Sequence, residues 1–375
     1  MTEASTAGPR VMLVYLMDLR SHPQIMARAA AQVAVFRASG LDASALCVDR
    51  DLPGSLPAGF QGIAARGPRV LRAFSEARRL REALLETSPD VAILRFGFAT
   101  RTMLSVAQRV PLMLEIHSDD TRELPSHPLV RLYARLSSRL FRRRLLAAVR
   151  GAAFVSSDLV GLPAFAGIRG PRAVIPNGIP IPASPIPLPH NERPVVGYSV
   201  GYAAPWQGLD RLAGLADVLP EFEFRLVIPD ASIADEIRSS RVKMVTAAGP
   251  QEYRAAIEGF DVALGGLALD RKGITIASAL KVRESVSLGI PTLLFSRDED
   301  LDDVSTPTVA TVARGAWEPA AVIAEVQAFV RGAVGARVPD ALRQRVDVTA
   351  KAQRYASLIG EVLRSMEKAA QATQR

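Results

Sequence analysis

The chain has 375 residues, of which 49% are hydrophobic, so it is long enough for two domains with substantial cores. Its single cysteine, Cys47, excludes an internal disulfide framework and is typical of a protein of the reducing cytosol. The net charge is +8, but residues 1–190 carry 24 Arg, no Lys and 14 acidic residues, so an anionic partner is expected at the N-terminal half.

Short apolar runs alternate with amphipathic stretches of helical length along the whole chain. In the N-terminal half, the stretches near residues 24–39, 70–87, 100–109 and 128–150 predict helices. The predicted strands are RVMLVYLM, DASALCV, DVAILRF, PLMLEIH, AAFVSS and RAVIPN in that half, and PVVGYSV, EFRLVIP, VKMVTA, DVALGG, IPTLLF and TVATVA in the other. Such alternation indicates an α/β protein with parallel, doubly wound sheets.

A proline-rich segment separates the two halves. Six prolines within residues 180–194 exclude a helix or a central strand and indicate a semi-rigid connector. We therefore expect one Rossmann-like domain over residues 1–185, a second over residues 186–338, and a helical segment over residues 339–375 that packs back on the first. No apolar run is long enough for a membrane-spanning helix, so we expect a cytoplasmic protein that is at most peripheral on the inner face of the membrane.

The segment SALKVRESVSLGIPTLLF, residues 278–295, combines a helix start with two opposite charges. Ser278 is the predicted N-cap, Lys281 the third helical residue, and Glu284 lies one turn further on the same face. The free N–H groups of a helix N-terminus suit a phosphate, to which a Lys adds positive charge, while a Glu accepts hydrogen bonds from ribose hydroxyls. The alternative is an ordinary salt bridge between Lys281 and Glu284 on a surface helix.

The stretch RLYARLSSRLFRRR, residues 131–144, predicts a basic amphipathic helix with leucines on a second stripe. Such a helix docks on anionic lipid, or else it is a solvated helix that covers the core. Few aromatic residues interleave with its arginines, which argues against nucleic-acid binding. The predicted basic stripe consists of Arg131, Arg135, Arg139 and Arg142 or Arg143.

Polar loop residues supply two weaker candidates. Ser21 and His22 follow the first predicted strand and are acceptor-side candidates, or else part of a solvated loop. The carboxylates of SDDTRE, residues 118–123, lack the further carboxylate cluster that a metal site needs, so no metal is expected. Motifs of the G-x-S-x-G, H-E-x-x-H and P-loop types do not occur, which argues against those hydrolase and kinase classes.

Residues 278–295 resemble the S-x-L-K-x-x-E-Y-x-A-x-G-x-P-V segment of GT-B glycosyltransferases, especially family 4, which includes many retaining enzymes. Three further stretches resemble that family in the expected order: AILRFGF with VPLMLEIHSDD, AAFVSSDLVG with AVIPNGIPIP, and VVGYSVGYAAPWQGLDRL. The resemblance covers most of residues 91–295. It implies two Rossmann-like domains that face across a cleft, and a metal-independent transfer of a sugar from a nucleotide sugar to a hydroxyl of a glycan, glycolipid or small molecule.

The resemblance also implies roles for individual residues. Glu284 would hold the donor ribose and count among the catalytic residues, and the helix start would face the diphosphate. His117 would lie near the reacting centre on the acceptor side, and Arg95 and Glu115 would be buried groups that frame that side. The implied donor-binding residues are Gly201, Tyr202, Gln207, Gly208, Ser278, Leu280, Lys281 and Glu284. No cofactor is implied, because the nucleotide sugar is a co-substrate.

Three positions depart from the family pattern. Tyr202 and Gln207 stand where the family commonly has an Arg and a Lys that neutralise the leaving diphosphate, and Ile276 replaces a Glu. Lys281, Lys272 or Arg271 is expected to compensate. The departures leave two rival functions open, namely a non-catalytic module that binds a sugar nucleotide or scaffolds a partner, and a sugar-nucleotide epimerase.

Overall fold

The chain folds into two units, each with its own parallel β-sheet. The computed structural model describes residues 8–19, 23–49, 56–64, 69–123, 128–237, 239–312 and 317–373. The N-unit comprises Met1–Ile175 together with Lys351–Arg375, and the C-unit comprises Pro176–Ala350. The predicted α/β class with parallel sheets is therefore confirmed.

The N-unit sheet has seven strands in the order β3-β2-β1-β4-β5-β6-β7, all paired in parallel. Successive residues of β1 alternate between two cores, with Met12 and Val14 in one and Val11 and Leu13 in the other. The sheet is thus buried on both faces, as parallel sheets require. Its strands are Arg10–Asp18 (β1), Asp42–Asp49 (β2), Phe60–Ala64 (β3), Val91–Phe96 (β4), Leu112–Ile116 (β5), Gly151–Phe154 (β6) and Arg172–Val174 (β7).

Helices cover both faces of this sheet. Those before residue 176 are Pro23–Ala38 (α1), Arg69–Thr87 (α2), Arg101–Ala107 (α3), Pro128–Ala148 (α4) and Ser157–Val160 (α5). The last helix of the chain, α11 (Val348–Thr373), also belongs mostly to the N-unit. Its residues Tyr355, Leu358 and Ile359 are buried in the same core as Val11 and Leu13.

Arg142 of α4 turns inward rather than joining an exposed basic stripe, so that part of the sequence prediction is wrong. Its guanidinium forms an ion pair with Asp120 and donates a hydrogen bond of 2.9 Å to the carbonyl of Ala164. It also lies 5.1 Å from the ring centroid of Phe165. The carboxylate and the carbonyl satisfy the guanidinium where solvent is largely excluded.

The C-unit sheet has six strands in the order β10-β9-β8-β11-β13-β15, again all parallel. A separate two-stranded sheet pairs β12 with β14. The strands are Val195–Ser199 (β8), Glu223–Ile228 (β9), Val242–Thr246 (β10), Val262–Leu264 (β11), Ile276–Ala277 (β12), Thr292–Leu294 (β13), Arg297–Asp298 (β14) and Val309–Thr311 (β15). The helices are Leu209–Val218 (α6), Pro250–Glu258 (α7), Leu280–Ser287 (α8), Pro319–Ala333 (α9) and Asp340–Arg345 (α10).

The proline-rich segment 180–194 lies entirely within the C-unit, so the division at residue 175 precedes the predicted boundary at residue 185. Main-chain carbonyls of the segment are held by two arginines of the same unit. Arg343, which is buried, donates to the carbonyl of Pro182 at 2.6 Å, and Arg337 donates to that of Ile186 at 2.9 Å. These two carbonyls thus accept hydrogen bonds from guanidinium groups instead of from a neighbouring strand.

Among the helices of the described residues, none combines the length and the apolar character that crossing a membrane requires.

Candidate functional site

The first turn of α8 carries no side-chain cap. The helix begins at Leu280 and its N-cap is Ala279, so the prediction of Ser278 as the cap is wrong and Lys281 is the second helical residue. The two-residue strand β12 ends at Ala277, and the chain needs Ser278 and Ala279 to turn into the helix. The first N–H groups of an α-helix have no intrahelical acceptor, so this turn presents free donors at the positive end of the helix dipole.

Ser278 anchors the turn instead of capping it. Its hydroxyl accepts a hydrogen bond of 2.7 Å from the backbone N–H of Asn177, and the Asn177 side chain donates to the carbonyl of Ser278. One turn on, the fully buried Arg283 donates to the carbonyl of Asn177 at 3.2 Å. Arg283 also forms ion pairs with Asp298 and Asp300. These contacts hold the start of α8 in a fixed position.

Lys281 points back over the end of strand β8. Its Nζ donates a hydrogen bond of 3.0 Å to Oε1 of Gln207 and lies 4.0 Å from the ring centroid of Tyr198. Burial lowers the pKa of Lys281 to about 7, although the charge of Glu284 acts in the opposite direction. The ammonium group is therefore poised to gain or lose its proton at physiological pH.

Glu284 has a different partner, Tyr253 of α7. Lys281 bonds to Gln207, so the two charges do not form the salt bridge that was the alternative expectation. The Tyr253 hydroxyl donates a hydrogen bond of 2.7 Å to Oε2 of Glu284 and lies 3.2 Å from Oγ of Ser199. Burial raises the pKa of Glu284, against the opposing effects of the Tyr253 hydrogen bond and of Lys281. The carboxylate thus lies where negative charge is only partly compensated.

The loop between β8 and α6 contains both exposed and structurally required positions. Tyr202 is 53% exposed and packs edge-on against Trp206, with ring centroids 6.3 Å apart. Gly208 has a φ of 68°, and a Cβ there would lie 2.8 Å from Cβ of Leu267, so the fold itself requires this glycine. A Cβ at Gly201 would contact nothing within 4 Å, and packing does not explain that residue.

Two cations lie beside this loop. Arg271 donates to the carbonyl of Pro205 and is neutralised by Asp210 at 2.6 Å. Lys272 has its Nζ 4.1 Å from the ring centroid of Trp206. The ammonium group of Lys272 therefore lies on an indole face, whereas the guanidinium of Arg271 is paired with the carboxylate of Asp210.

A buried ionic cluster occupies one face of the N-unit sheet. Glu115 of β5 is paired in register with Arg95 of β4. Glu115 accepts hydrogen bonds from Arg28 of α1 at 3.2 Å and from the hydroxyl of Tyr355 at 2.6 Å. Burial would raise the pKa of Glu115, but its contact with His117 and the charge of Arg28 hold it well below its usual value.

His117 ends the strand that carries Glu115. Its Nε2 lies 2.9 Å from Oε2 of Glu115. Burial, followed by the charge of Arg95, lowers the pKa of His117 to about 3. The imidazole is therefore neutral at physiological pH, and it serves as a hydrogen-bonding group rather than as a cation.

Several polar atoms of this cluster are buried with no partner among the described residues. They include Nη1 of Arg28 and both amide atoms of Gln32, which follows Arg28 by one helical turn. Arg95 likewise forms no hydrogen bond or ion pair with the residues described here, and burial lowers its pKa. Buried polar groups are nearly always paired, so these atoms are exceptions within the described residues.

Ser21 and His22, the acceptor-side candidates after the first strand, lie outside the described residues. Within the part of the chain that is described, no group of three or more His, Cys, Asp or Glu side chains is placed to hold a metal ion. A cavity of about 290 Å³ at the ends of β13 and β15 is lined by Phe295, Thr311 and Trp317, among others, and includes none of the predicted site residues.

The chain matches solved structures over nearly its whole length at low sequence identity. Sucrose-phosphate synthase from Thermosynechococcus elongatus aligns with a TM-score of 0.67 and 14% identity, over 95% of this chain and 99% of that one. HepE from Anabaena, in complex with UDP and glucose, aligns with a TM-score of 0.58 and 14% identity, over 94% and 99%. A proposed UDP-N-acetylglucosamine 2-epimerase from Listeria monocytogenes aligns with a TM-score of 0.52 and 11% identity, over 94% and 96%.

The chain has the GT-B fold. No protein-family model matches it, and no curated protein sequence matches it significantly. The likeness therefore identifies an architecture that glycosyltransferases share with at least one protein described as an epimerase. A shared fold does not by itself determine the reaction.

Within this GT-B chain, the structure brings Gln207, Ser278, Lys281 and Glu284 together around the start of α8. Tyr202 lies on the neighbouring loop, and His117 and Arg95 lie in the N-unit. The sequence prediction missed Tyr253, Tyr198 and Asn177, which contact the predicted residues directly. Tyr198 lies in an apolar strand and Tyr253 on an amphipathic helix, where a tyrosine looks like a core residue. Only the Asn177 position carried a signal, in the resemblance of AVIPNGIPIP to the family.

Proposed function

We propose that the protein is a glycosyltransferase, similar to family 4, that moves a sugar from a nucleotide sugar to a hydroxyl acceptor with retention of the anomeric configuration and without a metal ion. The observation that carries the proposal is the uncapped start of α8, with Lys281 and Glu284 on its first two turns. A helix N-terminus with a lysine binds a diphosphate, and a carboxylate one turn on binds vicinal hydroxyls.

The proton equilibrium of Lys281 fits a diphosphate ligand. With a pKa of about 7, the side chain is only partly charged when the site holds no anion. A diphosphate beside it would favour the ammonium form and draw Nζ into a charge-assisted hydrogen bond, which is roughly twice as strong as a neutral one. Glu284, in turn, would exchange its single tyrosine donor for the additional hydroxyls of a ribose.

Stabilisation of the leaving diphosphate depends on cations that the family usually places at the positions of Tyr202 and Gln207. Lys272 is the better candidate to replace them, because it lies beside the same loop over Trp206. Arg271 is the poorer candidate, because Asp210 already neutralises it. Each charged donor to a developing oxyanion contributes on the order of 3 kcal/mol to catalysis, so one lysine would restore a substantial part of the missing stabilisation.

We assign the acceptor side to the N-unit cluster of His117 and Arg95, together with Ser21 and His22, which follow β1 in the sequence. The neutral imidazole of His117 can donate a hydrogen bond to a hydroxyl of the acceptor substrate or receive one from it. Its pKa of about 3 makes it a poor general base. The acceptor would be a polar molecule such as a glycan, a glycolipid headgroup or a small molecule. Base catalysis would then fall to the leaving phosphate.

A thermal-shift screen of the purified protein against nucleoside diphosphates and their sugars tests the donor site. A ligand that binds only the folded state raises the Tm as its concentration exceeds the Kd. We expect a concentration-dependent shift with at least one diphosphate, which Glu284→Ala abolishes. Glu258→Ala, which removes an exposed carboxylate on α7, is the control and should keep the shift. An equal shift in wild type and Glu284→Ala would remove Glu284 from the site.

Two other functions have specific support. The likeness to the Listeria protein favours an epimerase, and conversion of a donor sugar into its epimer without any acceptor would identify one. The substitutions Tyr202, Gln207 and Ile276 favour a non-catalytic module that binds a sugar nucleotide. Such a module would give a thermal shift but no transfer or hydrolysis of the same donor. Transfer of radiolabelled sugar to a hydroxyl acceptor separates the glycosyltransferase from both.

A further inference from the structure

Exposed apolar side chains are concentrated on helix α4 of the N-unit. Among the described residues, twelve large hydrophobic side chains are exposed, and six of these belong to α4. Leu129, Leu136 and Leu140 are 71%, 53% and 66% exposed. The six residues are Leu129, Val130, Leu132, Tyr133, Leu136 and Leu140. Single exposed leucines are ordinary, but a continuous run along three turns marks an interaction surface.

The opposite face of α4 already packs against the N-unit. Ala134, Leu145 and Leu146 are buried, and Oγ of Ser137 donates a hydrogen bond of 2.8 Å to the carbonyl of Ala99. Residues 129, 132, 136 and 140 recur every three or four positions, so they share one helical face that lies away from this core. The fold therefore does not need these leucines for its own packing.

Arginines border the exposed apolar face. Arg131, Arg135, Arg139 and Arg143 follow one another at intervals of four residues and are all exposed. Helix α4 contains no acidic residue, and its Arg142 turns inward to the carboxylate of Asp120. The surface formed by Leu129, Leu132, Leu136, Leu140 and these four exposed arginines is called the α4 face below.

We propose that the α4 face docks the protein on an anionic phospholipid bilayer. The leucines would enter the boundary between headgroups and acyl chains, while the arginines would remain at the level of the lipid phosphates, because their long stems allow the charged ends to reach the interface. An interfacial helix of this kind lies in the membrane plane and needs no spanning segment, which agrees with the short apolar stretches of the chain.

Charge decides between a bilayer and a second copy of this chain. Two-fold pairing brings the same surface of both copies together. The arginines of one α4 face would then meet those of the other, with no acidic residue of either helix to neutralise them. An anionic bilayer presents a continuous negative surface and attracts each juxtamembrane arginine.

Vesicle co-sedimentation of the full chain tests the proposal. The probes are vesicles of pure phosphatidylcholine and vesicles that contain 30% phosphatidylglycerol. We expect binding to the anionic vesicles alone, weakened by high salt because the attraction is screened. Replacing Arg135, Arg139 and Arg143 together by Ala should lower the apparent affinity by roughly a hundredfold, given the usual contribution of each arginine near a charged surface.

A second triple variant, with Leu132, Leu136 and Leu140 each changed to Gln, should lose binding as well, since apolar insertion and charge attraction act together. The double variant Val218→Gln and Met244→Gln removes exposed apolar side chains of the C-unit and is the matched control that should bind like wild type. Circular dichroism and Tm should stay unchanged in all variants, because the substituted side chains are exposed.

A single reporter variant keeps the test decisive if a triple variant misfolds. The tryptophan of Leu136→Trp should shift its emission to the blue with anionic vesicles and not with phosphatidylcholine alone. Wild-type levels of vesicle binding in both triple variants would overturn the proposal. Failure of the wild-type protein to bind the anionic vesicles would also overturn it, and a dimer in the ultracentrifuge that the leucine variant converts to a monomer would then identify a second copy of this chain as the occupant.

Discussion

Two carboxylates have the same kind of hydrogen-bond partner, namely the buried Glu115 of the N-unit and the half-buried Glu284 of the C-unit. Each accepts a short hydrogen bond from a tyrosine hydroxyl, 2.6 Å from Tyr355 and 2.7 Å from Tyr253. Their pKa values nevertheless shift in opposite directions. The pKa of Glu115 falls because burial is outweighed by His117 and Arg28, whereas the pKa of Glu284 rises because burial prevails there.

The difference between the two carboxylates separates a structural role from a binding role. Glu115 has a guanidinium within 3.2 Å and is therefore compensated within the fold. Glu284 has no cation in direct contact among the described residues, and the lysine on its helix turns to Gln207 instead. A carboxylate that the fold leaves under-compensated retains the capacity to bind hydroxyl donors of a ligand.

The largest expected effect comes from removing the cation beside Glu115. Arg28→Met leaves a buried carboxylate unpaired and should lower the free energy of unfolding by about 3–5 kcal/mol, as measured by urea denaturation. Arg78→Met breaks the exposed pair with Glu82 and serves as the control, with little expected change in the free energy of unfolding. A loss below 1 kcal/mol for Arg28→Met would mean that Glu115 is not held by its ion pair.

The next largest effect is expected on diphosphate binding at the C-unit site, where the Kd should depend on pH. Lys281, with its pKa of about 7, must take up a proton to meet the diphosphate when the pH is above that value. The Kd should therefore rise by up to about tenfold per pH unit between pH 7 and 9, since the neutral form of the lysine becomes dominant. Titration calorimetry in two buffers of different ionisation enthalpy would detect the proton uptake.

Lys281→Gln is the control for this pH dependence. The variant should bind the diphosphate weakly at every pH, without proton uptake linked to binding. If Lys281→Gln keeps the pH dependence of wild type, another group is responsible for it and Lys281 does not contact the phosphates.

The smallest expected effect is on stability and has opposite signs at the two carboxylates. Glu284→Gln should raise the free energy of unfolding at pH 7 by about 0.5–1 kcal/mol, because the raised pKa means that folding disfavours the ionised form. In wild type, the contribution of Glu284 to stability grows as the pH falls towards 4.5, the usual carboxyl value, and is lost as the pH rises. Glu115 behaves in reverse, and its contribution is lost at low pH.

Denaturation curves of Glu284→Gln and Glu115→Gln between pH 4 and 8 compare the two sites directly. Glu115→Gln should be destabilised most at pH 8 and least at pH 4. Destabilisation of Glu284→Gln at pH 7 would remove the distinction between a structural and a binding carboxylate.

The sequence predicted the two parallel sheets because their buried strands are nearly continuous apolar runs such as VMLVYLM. It missed β12 and β14, which are two residues long and pair only with each other. Lys281 and Glu284 were predicted because both lie on one short segment. Their partners Gln207 and Tyr253 come from other elements, and the inward turn of Arg142 depends on Asp120, which no local pattern in a helix reveals.

The return of helix α11 to the N-unit has a consequence for synthesis of the protein. The ring of Tyr355 lies 5.3 Å from that of Phe36 and its hydroxyl completes the hydrogen bonds of Glu115, so the N-unit incorporates residues that are translated only after the C-unit. The N-unit residues before residue 176 therefore leave the ribosome with part of their apolar surface uncovered until α11 emerges. A stop codon near residue 350 would destabilise the N-unit, and the nascent chain would need chaperones longest at this uncovered surface.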